Sequence, residues 1–164
     1  YSLGHRKIAY VGSECNMLFS AERKSGYQLA LLEHKIPINP NYCIEVEQLS
    51  SDNHQLFCSL LKQEDRPTAI IASDDILAVA LERACVQCGL SVPENLSIVS
   101  FNNSLFARIT SPQLTSVDIN SHQLGIEAAS QLINHIENPN LLATKIIVPH
   151  SLIIRGSCQQ IETV

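Results

Sequence analysis

The sequence predicts an α/β fold in which a parallel sheet carries helices on both faces. Three observations lead there. Strand-like apolar runs alternate with helical segments, the joints between them are short, and most of the runs are apolar throughout, as strands covered on both faces require. KIAYVG, Lys7 to Gly12, is the first run, closed by a glycine. SAERKSGYQLALLEHK follows, with Tyr27, Ala30, Leu31 and His34 at helical spacing. YCIEVEQL alternates, placing Ile44 and Val46 on one face and Cys43, Glu45 and Glu47 on the other. DNHQLFCSLLKQ reads as a helix with Leu56, Leu60 and Leu61 on one stripe, and TAIIAS, Thr68 to Ser73, as a buried strand. DDILAVALERACVQCG is the plainest helix. Asp74 is placed to cap it, Ile76, Leu77, Ala80, Leu81 and Ala84 form an apolar stripe, and Gly89 suits the left-handed position past its end. LSIVSFN is a further buried strand, and this repetition implies right-handed crossovers.

Beyond Asn103 the pattern changes. PQLTSVDIN reads as a strand after a proline, and SHQLGIEAASQLINHIEN as a capped helix with Leu124, Ala128, Leu132 and Ile136 on one face. TKIIVPHSLIIRGSC gives two strand-like runs hinged at Pro149, whose missing N–H interrupts a ladder.

At 164 residues the chain is one ordinary domain or two small lobes, and no apolar stretch approaches the ~20 residues of a membrane helix. A formal net charge of −5 argues against direct contact with nucleic acid or an acidic membrane by this chain itself. The first residues, YSLGHRKIAYV, lack the pattern of a secretory leader. The six cysteines sit scattered, mostly in apolar company, and read as small hydrophobes in a reducing compartment, the cytoplasm. Cys85 and Cys88 form a CxxC pair that closes a helix instead of opening one, with no second pair for zinc, so this pair is read as structural.

Ligands of open α/β sheets bind beyond the carboxyl ends of the parallel strands. Those ends deliver Gly12, Ser13 and Glu14, then Gln48, Leu49 and Ser50, then Ser73 and Asp74, and finally Asn102 and Asn103. Each has a structural explanation alone: Asp74 as a helix cap, Ser73 as a strand terminus, the asparagines as residues bonding their own backbone in an Asx turn. Together they make a rim of amides, hydroxyls and a carboxyl group suited to a small ligand with many hydroxyls. Reaction chemistry finds less support. No GxGxxG follows the first strand, no phosphate loop or GxSxG elbow occurs, and the six histidines show no metal spacing. No enzyme activity, cofactor or metal is expected.

Taken in order, LGHRKIAYVG, SAERKSGY, PTAIIASDDILAVALERACVQCGLSVPENLSIVSFNN, PQLTSVDINSHQLGIEAASQLI and PHSLIIRGS resemble the effector-binding core of the lactose/galactose-repressor (LacI/GalR) family, over roughly Ser2 to Ser157. The resemblance implies a periplasmic-binding-protein-like type I fold, with two Rossmann-like lobes and a sugar or nucleobase effector in the cleft between them. It also implies a homodimer and operator DNA bound through a helix-turn-helix headpiece absent from this chain, with no membrane partner. On that basis residues 1–103 are the second lobe, 104–113 an inter-lobe crossover, 114–148 a first-lobe remnant of strand, helix and strand, and 149–164 a crossover with the final strand. First-lobe strands such as Leu114 to Ile119 would then lack their natural neighbours and pair with another chain.

The family's site residues carry over by position. Arg23 matches the arginine that forks onto effector hydroxyls. Ser73 stands where an amide is common, Asp74 matches the following aspartate, and Asn102 stands where an aspartate commonly binds sugar hydroxyls. Leu49 replaces a frequent aromatic, a loss that Phe19 or Phe101 would offset. The phrases SFNNS and LTSVDIN are most similar to the maltose-operon repressors of Gram-positive bacteria, implying maltose or a related α-glucoside as effector. Two other classes fit the fold: a secreted sugar-binding protein of a transport system, and a small α/β enzyme for which no catalytic constellation is present.

Overall fold

The computed structural model describes residues 1–13, 18–46 and 51–161. Its six strands are β1 (Ile8–Ser13), β2 (Cys43–Val46), β3 (Ala69–Ala72), β4 (Ser97–Phe101), β5 (Thr115–Asp118) and β6 (Ser151–Ile153). Its α-helices are α1 (Leu18–Glu33), α2 (Ser51–Leu61), α3 (Asp75–Gln87), α4 (Leu105–Ile109) and α5 (Ser121–Glu137), with a 3-10 turn at Pro40–Tyr42. The strands form one sheet in the order β2-β1-β3-β4-β5-β6, parallel from β2 to β5, with β6 antiparallel at the edge. The α/β class and the two-faced parallel sheet match the sequence reading. The order reverses between β1 and β3, the switch point beyond which such sheets bind ligands.

Alternation along β1 explains the two layers. Ala9 and Val11 join the larger core, with Phe57, Leu60 and Leu61 of α2, Leu77, Ala78 and Leu81 of α3, and Ile70 and Ile98 of the sheet. Tyr10 points the other way and packs with Tyr27 and Leu31 of α1 and with Ile36. Gly12 is required by this packing, because a Cβ there would lie 2.5 Å from Tyr10 Cε1. Several stripe residues shift from the sequence reading. On α2 Leu56 is exposed and Phe57 is buried; on α3 Ile76 is exposed, and Ala78 and Cys85 are buried. On α1, Tyr27 and Leu31 are buried as expected, but Ala30 and His34 are exposed.

Both ends of α3 are closed as expected. Asp74 Oδ1 accepts from the Leu77 N–H at 2.9 Å. Gly89, at φ +72°, lets its own N–H reach Val86 O and the Leu90 N–H reach Cys85 O.

The segment after Asn103 differs most. The strand expected at Leu114 to Ile119 is β5, but it lies between β4 and β6 in the same sheet and is not an edge without neighbours. Of the two strand-like runs about Pro149 only the second forms a strand; residues 144–148 have no regular structure. The helix α5 forms, but the cap expected for it does not, since its N-cap Asn120 is left-handed and makes no side-chain cap hydrogen bond, and the helix buries no residue. The closing residues fasten back onto the sheet: Ser157 Oγ donates to Ile98 O at 2.6 Å and accepts from the Thr115 N–H at 2.8 Å. No helix among the described residues is long and apolar enough to cross a membrane.

Candidate functional site

Arg23 gathers the strand ends. It projects from α1, half-buried, and its Nη1 donates to the Ser73 carbonyl at 2.6 Å while Nη2 donates to Asn102 Oδ1 at 3.2 Å. Its guanidinium carbon lies 5.0 Å from the Phe19 ring centroid and 4.7 Å from that of Phe101, both within cation–π range. Burial pulls the Arg23 pKa down from its ordinary value, and Tyr10, Asp74 and Asp75 act in the opposite direction. The charged fork is thereby held in place by two turns and two rings before any ligand arrives.

Phe19, Arg23, Asp74 and Asn102 line one recess of about 540 Å³, joined by Asp75, Ile76, Ser104, Phe106 and Ile119. The lining thus combines aromatic and aliphatic groups with amide, carboxyl and guanidinium groups, a mixture suited to a ligand that has both apolar and polar surface. Asp74 caps α3 and also lines the recess. Ser73 is buried beneath the rim. Its Oγ accepts from the Ser13 N–H at 3.3 Å and donates to Asp74 Oδ2 at 3.3 Å, so it steadies the site through Asp74 and, by its carbonyl, through Arg23.

The two asparagines part company. Both have left-handed backbone, φ +98° at Asn102 and +48° at Asn103, a region that asparagine tolerates better than most residues. Asn102 turns its side chain to Arg23. Asn103 turns away from the recess: its Nδ2 donates to Asp118 Oδ2 at 3.0 Å and its Oδ1 accepts from Arg155 Nη2 at 2.5 Å. The carboxamide expected to face a ligand is instead a bracket between β4, β5 and the closing segment. Leu49 lies outside the described residues, as do Glu14, Gln48 and Ser50.

Asp75 follows Asp74 at the start of α3, and its side chain points inward, away from the cap. It is fully buried, and its carboxyl accepts from Ser100 Oγ at 2.5 Å, Ser116 Oγ at 2.8 Å and the Ser104 N–H at 2.6 Å. Ser104 was missed in the sequence; its buried Oγ has no partner among the described residues. The serines of SFNNS and LTSVDIN were the available signal, since hydroxyls inside buried strands need partners. No cluster of three or more metal-ligating side chains occurs among the described residues.

Residues 1–158 match the family model for the periplasmic binding protein-like domain. The ribose operon repressor of Haemophilus influenzae is 31% identical over 159 residues, which is 97% of this chain and 48% of that protein. Among solved structures, a Bacillus cereus subsp. cytotoxis protein assigned as a LacI transcriptional regulator superposes with a TM-score of 0.92 at 37% identity, covering 98% of this chain and 57% of that one. The cellobiose complex of the transcriptional regulator CelR superposes with a TM-score of 0.87 at 25% identity, covering 95% and 48%. The chain belongs to the periplasmic binding protein-like domain family, and the relatives it matches include repressors and LacI-type transcriptional regulators. Its relatives are transcriptional regulators, not enzymes. It spans about half the length of the curated relatives it matches.

Proposed function

We propose that this chain is the sugar-sensing part of a LacI-type repressor of carbohydrate-utilisation genes, with maltose or a related α-glucoside as the effector. The observation that carries the reading is the convergence of Arg23, Asp74 and Asn102 on one recess flanked by Phe19. A planar fork with several N–H donors suits vicinal hydroxyls, and the flanking rings suit the apolar face of a pyranose. Asn102 offers donors and an acceptor without charge, which favours a neutral ligand. The disaccharide carried by the CelR structure supports the same ligand class.

In this reading residues 1–103 form the second lobe, and α5 with residues 138–148 belongs to the first, which would cover the apolar side of α5. Sugar bridges the lobes and favours their closed arrangement. It biases operator binding through a headpiece, in a cytoplasmic homodimer, only by its differential affinity for the open and closed states. The isolated chain, carrying half the cleft, binds sugar weakly.

Calorimetric titration of the intact regulator with maltose, sucrose, galactose and ribose tests this. Heat from maltose, lost in Arg23→Ala with operator affinity preserved, is the expected result. Silence from every disaccharide removes the α-glucoside reading, and unchanged maltose affinity in Arg23→Ala removes Arg23 from the site.

A further inference from the structure

Ser104 follows the two asparagines and stands on the lining of the recess, between β4 and α4. Its backbone N–H is pinned by the buried Asp75 carboxyl at 2.6 Å. Its side chain has no such anchor. Ser104 occupies the N-cap position of α4, yet its hydroxyl makes no capping hydrogen bond. The Oγ is buried and has no partner among the described residues. A buried hydroxyl left unpaired is costly and uncommon, so it calls for a reason. Two other buried side-chain oxygens share this state among the described residues, Glu82 Oε1 and Thr110 Oγ1. Neither of those residues lines the recess, and Ser104 does.

We propose that Ser104 is a specificity residue of the recess, whose hydroxyl turns to meet one uncharged hydroxyl of the bound ligand. This assignment rests on the sugar-sensing function proposed above. The pinned N–H holds the Ser104 backbone in place, so rotation about a single side-chain bond between staggered positions completes the contact. A serine hydroxyl both donates and accepts, which matches a sugar hydroxyl in either sense. No hydrogen bond within the protein is given up in the exchange, so the new bond adds to affinity without that cost. The surroundings set the charge of the group that fits. Asp74 and Asp75 line the same recess, and Arg23 already has Ser73 O and Asn102 Oδ1 as acceptors. A phosphate or carboxylate brought to Ser104 meets two aspartates, whereas a neutral hydroxyl meets no repulsion. The recess thereby prefers free sugars to sugar phosphates and uronates.

The test is calorimetric titration of the intact regulator with maltose, sucrose, galactose and ribose, and with glucose 6-phosphate and glucuronate as anionic probes. A neutral sugar that binds the parent is expected to bind Ser104→Ala about tenfold more weakly. Thr110→Val, which removes an unpaired hydroxyl outside the recess, is expected to keep the parent affinity, and neither anion is expected to bind more tightly than that sugar. Urea denaturation without sugar gives a second readout: Ser104→Ala loses no stability, because no hydrogen bond of the free protein is removed. Equal sugar affinity in Ser104→Ala, or an equal loss in Thr110→Val, overturns the proposal and leaves the sugar reading standing. A lower urea midpoint for unliganded Ser104→Ala, or tighter binding of either anion, also overturns it. Silence from all four neutral sugars in the parent removes the sugar reading and this proposal together.

Discussion

Glu82 has a buried carboxyl oxygen, Oε1, with no partner among the described residues. Burial pushes its pKa from the ordinary 4.5 to about 7. The folded-state pKa is the higher one, so the neutral form is compatible with folding and the ionised form opposes it. Stability is therefore complete below about pH 4.5 and is lost progressively as the pH rises through about 7. Glu82→Gln, uncharged at every pH, is expected to remove this slope and to be more stable than the parent at pH 8. Urea denaturation midpoints between pH 4.5 and pH 8 check it, and parallel curves for the two proteins contradict it. Asn102 and Asn103 show a different limit of residue-level reading. Their residue type was legible as unusual, and left-handed backbone accounts for both. Which one serves the recess was not legible, because it depends on where Arg23, Asp118 and Arg155 come to lie.

Among the elements, α3 was read most fully. Its cap at Asp74 and its glycine stop at Gly89 involve residues within a few positions of one another, so sequence proximity encodes them. Its fastening to the sheet was not read. Asp75 joins the start of α3 to β4, β5 and the first residue before α4 through three accepted hydrogen bonds. Removing it leaves two buried hydroxyls and an N–H without their acceptor. Asp75→Ala is expected to cost about 3–5 kcal/mol, and Asp75→Asn, which keeps one acceptor oxygen, about 1–3 kcal/mol. Chemical denaturation measures both, and a loss below ~1 kcal/mol for Asp75→Ala contradicts the role. The α2 stripe was misread by one position because Leu56 and Phe57 are both apolar, and only packing against the sheet selects Phe57.

Across the whole molecule, α5 stands apart. Leu132, Ile133 and Ile136 are 63%, 54% and 69% exposed, and residues 139–150 beside it add exposed Leu141, Leu142 and Ile147. Exposed apolar side chains in this number favour association in water. The isolated chain is expected to self-associate at micromolar concentration, and Leu132→Lys with Ile136→Lys to reduce it. Light scattering checks this, and a clean monomer contradicts it. The association arises on α5 and not at β5, whose two edges are already occupied by β4 and β6.

The alternation of strands and helices, the caps and the polar strand ends were readable from the chain, because period and capping chemistry act between near neighbours. Two things came from folding alone: the inclusion of β5 in the sheet and the choice of Asn102 over Asn103 for the recess. Each is a closeness between residues far apart along the chain. Such closeness is set by how helices stack on the sheet and which buried polar groups find partners, and no local pattern of residues carries that information.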